Sequence, residues 1–141
     1  MSLGSTFAND LAKLILNATA ITGIARDAAS PLTDYYLSLH TANPVAGDQT
    51  TSEIAFTGYA RVAVERTGDG WIVTANVASP AADIVFAAMT GGAGGTVTYL
   101  GIGTDVSGAG KLLLCGAVTP TLAVTTGITP RIDTDTTLTF A

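Results

Sequence analysis

His40 is the only histidine of the chain, so any imidazole acid–base chemistry has to be built around it. A Ser-His-Asp arrangement would draw on Asp34 or Asp48 to orient the ring, but no nucleophile elbow accompanies them. A second metal ligand at suitable spacing from His40 is also missing. Cys115, the single cysteine, stands in the apolar run Leu112-Leu113-Leu114-Cys115, where a buried inert thiol is expected. It leaves no intrachain disulfide and no thiolate metal cluster. The stretch Gly103-Thr104-Asp105-Val106-Ser107-Gly108-Ala109-Gly110-Lys111 invites a phosphate-loop reading. Its spacing is wrong, however, and Leu112 occupies the place of the metal-binding hydroxyl, so it reads as a surface loop between two strands. Asp133 and Asp135, two residues apart, would share one face of a strand and could meet a hard cation, yet a further carboxylate is lacking. Tyr35, Tyr36, Tyr59, Trp71 and Tyr99 could stack on a sugar, but half-buried strand aromatics are expected as core or interface anchors. These residues point to no catalytic group, no metal and no cofactor.

The composition turns the question from chemistry to assembly. The 141 residues suit one domain, 48% of them hydrophobic and only 12% charged, against a usual charged share of about 25%. The surface must then be covered largely by Thr, Ser, Gly, Ala and Asn, which favours association. The net charge is −5, and the six basic residues (Lys13, Arg26, Arg61, Arg66, Lys111 and Arg131) are scattered. Without a basic stripe, nucleic acid is not expected as a partner. No apolar stretch approaches the roughly 20 residues of a membrane span. The first residues lack a basic region followed by an apolar core, so synthesis and maturation in the cytoplasm are expected.

The elements fall into a helical and a β zone. Residues 1–30 carry helical spacing in Leu3, Phe7, Leu11 and Leu14, with Ser5 or Thr6 as cap and a stop between Asn17 and Gly23. This segment, joined by a linker at 25–31, is expected to be an assembly element whose stripe is buried on a neighbouring subunit. Residues 31–141 are expected to form a β-sandwich or jelly-roll-like domain of seven or eight short strands. In Tyr35–His40, Leu37 and Leu39 share one face and Tyr36, Ser38 and His40 the other. In Tyr59–Arg66, Ala60, Val62 and Val64 face in while Arg61, Ala63 and Glu65 face out. Thr67-Gly68-Asp69-Gly70 then reads as a hairpin turn into Trp71–Thr74. Strands are also expected at Asp83–Phe86, Thr96–Ile102, Leu112–Val118, Leu122–Thr125 and Thr136–Ala141.

Four motifs carry a resemblance. Tyr36-Leu37-Ser38-Leu39-His40-Thr41-Ala42-Asn43-Pro44 is followed by Gly58-Tyr59-Ala60-Arg61-Val62-Ala63-Val64, and later by Tyr99-Leu100-Gly101-Ile102-Gly103-Thr104 and Ser107-Gly108-Ala109-Gly110. Together they resemble a family of short tailed-bacteriophage proteins labelled tail-fibre or virion structural proteins, over nearly the whole chain. The resemblance implies a non-enzymatic protein of the virion, with other copies of itself and major capsid or tail proteins as partners. Small size and acidity favour a trimeric cement or decoration protein on the outside of the head. The family's label favours a tail-fibre or baseplate accessory protein, one that could contact a host glycan. Tyr59 and Arg61 join Leu3, Phe7, Leu11 and Leu14 as expected interface residues, Arg61 because its planar fork makes bidentate contacts.

Overall fold

The structure, a computed structural model, describes residues 5–20 and 32–140, with side chains from Ala8 onward. Its elements are helix α1 (Ser5–Asn17) and strands β1 (Asp34–His40), β2 (Val62–Glu65), β3 (Trp71–Thr74), β4 (Val77–Pro80), β5 (Ile84–Val85), β6 (Gly95–Gly103), β7 (Leu112–Val124), β8 (Arg131–Ile132) and β9 (Leu138–Thr139). The protein is mainly β with one N-terminal helix. The strands form a four-stranded sheet in the order β2-β1-β6-β7, a three-stranded sheet β3-β4-β9, and a pair β5-β8. The chain divides into two compact units, residues 1–34 with 65–83 and 132–141, and residues 35–64 with 84–131. The expected boundary near residue 30 lies outside the described residues.

In the first unit, α1 packs on β3 and β4. Its buried positions are Ala8, Ala12 and Leu16, each four residues on, while Leu11 and Leu14 are half-buried. The apolar stripe therefore runs one position round from the expected one, because small alanines allow a helix to approach a sheet closely. Ala18 at φ 52° ends the helix in the left-handed conformation, with the Thr19 amide donating back to the Lys13 carbonyl at 3.1 Å. The Arg66 guanidinium completes the cap: Nε donates to the Ile15 carbonyl at 2.8 Å and Nη2 to that of Leu14 at 2.9 Å. These are carbonyls that a helix end leaves without intrahelical donors, and a cation there also suits the macrodipole. Trp71, Ala78 and Pro80 of the sheet are buried, as is Phe140 just after β9.

The turn at Thr67–Gly70 forms, with the Trp71 amide donating to the Thr67 carbonyl at 3.0 Å, but it does not make a hairpin. β2 pairs with β1, whereas β3 pairs antiparallel with β4 in register Thr74↔Val77. A turn signal fixes local geometry and not the partner of the strand that follows. The real hairpin turns at Ala75 and Asn76, with Ala75 at φ 55°, a conformation whose usual residues are Gly, Asn or Asp. Asn76 then holds the C-terminal strand, accepting from the Phe140 amide at 2.8 Å and donating through Nδ2 to the Phe140 carbonyl at 2.9 Å.

In the second unit, β6 pairs antiparallel with β1 on one side and with β7 on the other. The two strands expected at 112–118 and 122–125 are one continuous strand of 13 residues. Asp133 and Asp135 lie beyond β8 in a turn, where Asp133 Oδ1 accepts from the Asp135 amide at 3.2 Å, so the expected shared strand face does not form. Among the described residues no group of three or more His, Cys, Asp or Glu could hold a metal ion.

Candidate functional site

Both faces of β1 are buried at its C-terminal end. Leu37 and Leu39 go into the core as their alternation requires, but Ser38 and His40 on the opposite face are also 0% exposed. Two buried polar side chains demand partners. His40 Nδ1 lies 2.8 Å from the Thr51 carbonyl oxygen, and His40 Nε2 lies 2.8 Å from Ser38 Oγ. A carbonyl only accepts, so Nδ1 carries the proton and Nε2 accepts from the Ser38 hydroxyl. Burial lowers the pKa of His40 below its ordinary 6.5 and keeps the ring neutral. A hydrolase triad uses this same tautomer. Here, however, both side chains are sealed, and neither expected carboxylate orients the ring. Asp34 accepts from the Thr33 hydroxyl, and Asp48 from the amide and hydroxyl of Thr50. Those two contacts hold the exposed Asp48 carboxyl below its ordinary pKa.

The next layer is laid down by the segment 51–54, which runs beside β1. The Thr41 amide donates to the Ser52 carbonyl at 2.8 Å and the Ile54 amide to the Leu39 carbonyl at 2.9 Å. His40 and Glu53 thereby face each other across a bridge. Glu53 Oε1 accepts from Arg61 Nε, and Oε2 from Arg61 Nη2, each at 2.7 Å, with the two side chains 15% and 2% exposed. Tyr59 also donates its hydroxyl to Glu53 Oε1 at 2.9 Å and accepts from the Leu39 amide at 3.0 Å. Burial raises the Tyr59 pKa above its ordinary value, so the phenol stays protonated and remains a donor. Its ring packs edge-on against Phe56 and parallel to Phe86, with centroids 5.2 and 6.3 Å away.

Arg61 reaches outward from this layer to the loop between β6 and β7. Nη1 donates to the Asp105 carbonyl and Nη2 to the Gly108 carbonyl, both at 2.9 Å. Its bond to Glu53 holds the guanidinium even more firmly in its charged form. Gln49 grips the same loop: its amide donates to the Gly110 carbonyl, and its Oε1 accepts from the Asp105 amide, both at 3.0 Å. Gln49 Nε2 is buried without a partner. Glycines make the room. A Cβ at Gly103 or Gly110 would overlap the Gln49 side chain, and one at Gly101 would overlap His40 Nε2 and Ser38 Oγ. The loop so held carries an exposed tip, with Val106 at 60%.

Of the expected interface residues, Tyr59 and Arg61 come together in this clamp in the second unit, while Leu11 and Leu14 belong to α1 in the first. Leu3 and the Phe7 side chain lie outside the described residues. The expected outward face of Arg61 is not seen: Arg61 is buried and Ala60 exposed. The reason is that β2 starts only at Val62, so strand alternation does not reach back to residues 59–61. Glu53 and Gln49 were hidden in what reads as a polar loop. The usable signal was Gly101 and Gly103 inside a strand pattern, since a strand glycine marks the close approach of another group. The strand aromatics are expected as core or interface anchors rather than a sugar platform. Trp71 and Tyr35 are buried, and Tyr59 packs on Phe56 and Phe86.

In this arrangement the buried polar side chains of the clamp bond within the chain and fix its own loops. All four motifs that carry the phage resemblance meet in it: Ser38 and His40, Tyr59 and Arg61, Gly101 and Gly103, Gly108 and Gly110. The family model described as Podophage GP4 fiber I protein gp80 matches residues 6–139, and the chain belongs to that family of bacteriophage virion structural proteins. No curated protein matches the chain.

Proposed function

We propose that this protein is a non-catalytic subunit of a tail-fibre-type part of the phage particle, held there by contacts with other copies of itself and with neighbouring tail proteins. The observation that carries this is the clamp. Its one histidine, its buried serine, its buried ion pair and its tyrosine hydroxyl all bond inside the chain, and what they produce is a firmly held β6–β7 loop, which is what a building block needs. The fibre in the family's description supports the tail over the head. A head-decoration role draws its support from the net charge of −5 and the small size. Immunogold labelling of intact particles with an antibody to this chain tests the reading. Label at the tail is the expected result, and label spread over the head would replace it with the decoration role. Purified protein incubated with peptidoglycan, polysaccharide and ester substrates should give no turnover above background. Turnover abolished by His40→Ala would contradict the non-catalytic reading.

A further inference from the structure

The four-stranded sheet has two unequal edges. One is β2, only four residues long, with Glu65 at its end and Arg66 next in sequence. Short edges that carry charge resist pairing with another chain. The other is β7, whose 13 residues, Leu112–Val124, contain no charged side chain. No residue from Leu112 to Pro130 is charged. β7 pairs with β6 on one side only, and among the described residues no strand pairs with its other side. Along it Gly116, Ala117, Thr119, Pro120, Thr121 and Ala123 are exposed, while Leu112, Leu113, Leu114, Val118 and Leu122 are only half-buried. A strand of this length offers about 44 Å of edge at roughly 3.4 Å per residue. Long, apolar, uncharged edges of this kind act as templates for strand addition.

We propose that the outer edge of β7 is the contact between copies of this chain, made by β7 of a second copy pairing antiparallel with it. Three observations select that occupant. The free amides and carbonyls of an extended edge are matched by another extended strand, and antiparallel pairing of a strand with its own copy gives each copy the same surface, which closes on a two-fold axis. The length matches only β7 itself: β2 of a second copy would set four residues against thirteen, so a head-to-tail ring or trimer through these edges would leave most of β7 bare. The charge also fits. Each chain carries −5, and the uncharged β7 edge is a place where two such chains meet without opposing like charges. Pro120 has no N–H and interrupts the donor row, so the run Leu112–Thr119 carries most of the pairing. The clamp described above sets this edge, because it fixes the loop from which β7 starts. The inference goes beyond the fibre reading and applies at either end of the particle.

The test is the association state of the full chain by analytical ultracentrifugation, with amide hydrogen exchange read along the strands. Wild-type protein should form dimers. Amides of β7 should exchange slowly in the dimer and faster on dilution, while those of β2 should not change with concentration. The variant Ala117→Lys with Thr119→Lys places two charges at exposed positions of the edge and should weaken association by about a hundredfold, the loss typical of a central interface residue. Ala63→Lys, at an exposed position of β2, should not weaken it. Circular dichroism establishes that each variant is folded. Should the double variant not fold, the concentration dependence of exchange in the wild type alone decides. Wild-type protein that stays monomeric at several hundred micromolar overturns the inference. So does an oligomer whose β7 amides exchange equally at all concentrations, or one that the double variant leaves intact. Labelling of the particle is independent of all these results, so the virion reading stands or falls separately.

Discussion

Arg61 and Arg66 stand five residues apart and do opposite work in the two units. Arg61 is buried, faces a carboxylate in fork geometry, and draws a loop onto the sheet through two further carbonyls. Arg66 works on backbone carbonyls. It donates to carbonyls of the last turn of α1 and, through Nη1, to the Leu32 carbonyl at 2.7 Å. The first arginine is one half of a desolvated charge pair, so its loss strands a charge. The second supplements dipoles near a helix end, where water can take its place. The second unit thus adds a network of linked polar side chains to its apolar core, and the first adds a polar helix cap to its own.

The largest effect should follow Arg61→Ala, which leaves Glu53 with its fork partner gone. Breaking a buried pair from one side costs about 3–5 kcal/mol. Urea unfolding measures it, and a loss below 1 kcal/mol would mean that the pair behaves like a surface one. Arg61→Lys should recover only part, because a point charge cannot serve Glu53 and two loop carbonyls together.

Next comes Gly101→Ala. The added methyl enters the space of Ser38 Oγ and His40 Nε2, and overpacking of this kind costs about 1–3 kcal/mol. Thermal unfolding of the variant reads it directly. Gly116→Ala is the control, since a Cβ there meets nothing within 4 Å.

The sequence made some of this visible and left the rest dark for physical reasons. The mainly β class, the helix before it and the strand at Tyr35–His40 follow from periodicity alone. Periodicity puts Ser38 and His40 on the face opposite Leu37 and Leu39, and a polar face is wet unless a second buried layer covers it. That layer is the segment 51–54, whose only sequence mark is a run of polar residues. The β3–β4 hairpin escaped notice because its turn uses an alanine at positive φ. The continuity of β7 escaped notice because Thr119-Pro120 reads as a break, although proline is tolerated on an edge strand.

A smaller effect concerns pH. The folded pKa of His40 is lowered from 6.5 by burial, so the unfolded chain binds a proton more readily than the folded one. The stability that His40 contributes is present above pH 6.5 and is lost as the pH falls below it. Unfolding free energy measured between pH 7.5 and 5 should therefore decline below pH 6.5 in the wild type. His40→Gln, although less stable, should show a flatter profile over that range. An equal slope in both would assign the dependence to other groups.

The smallest effect should come from Arg66→Ala, at about 1–2 kcal/mol, the scale of a favourable charge and donor at a helix C-terminus. Loss of helical circular dichroism, with the β signal kept, would separate it from the Arg61 variants.

The account's central claim is that the four motifs are held together inside the chain by a polar network centred on the Glu53–Arg61 pair. A double-mutant cycle between Arg61→Ala and Glu53→Ala, read by urea unfolding, tests that claim most directly. The two single variants should each be strongly destabilised, and the double variant should cost clearly less than their sum, with a coupling of about 2 kcal/mol or more. Additive losses would contradict it, because Arg61 and Glu53 would then be acting on something other than each other.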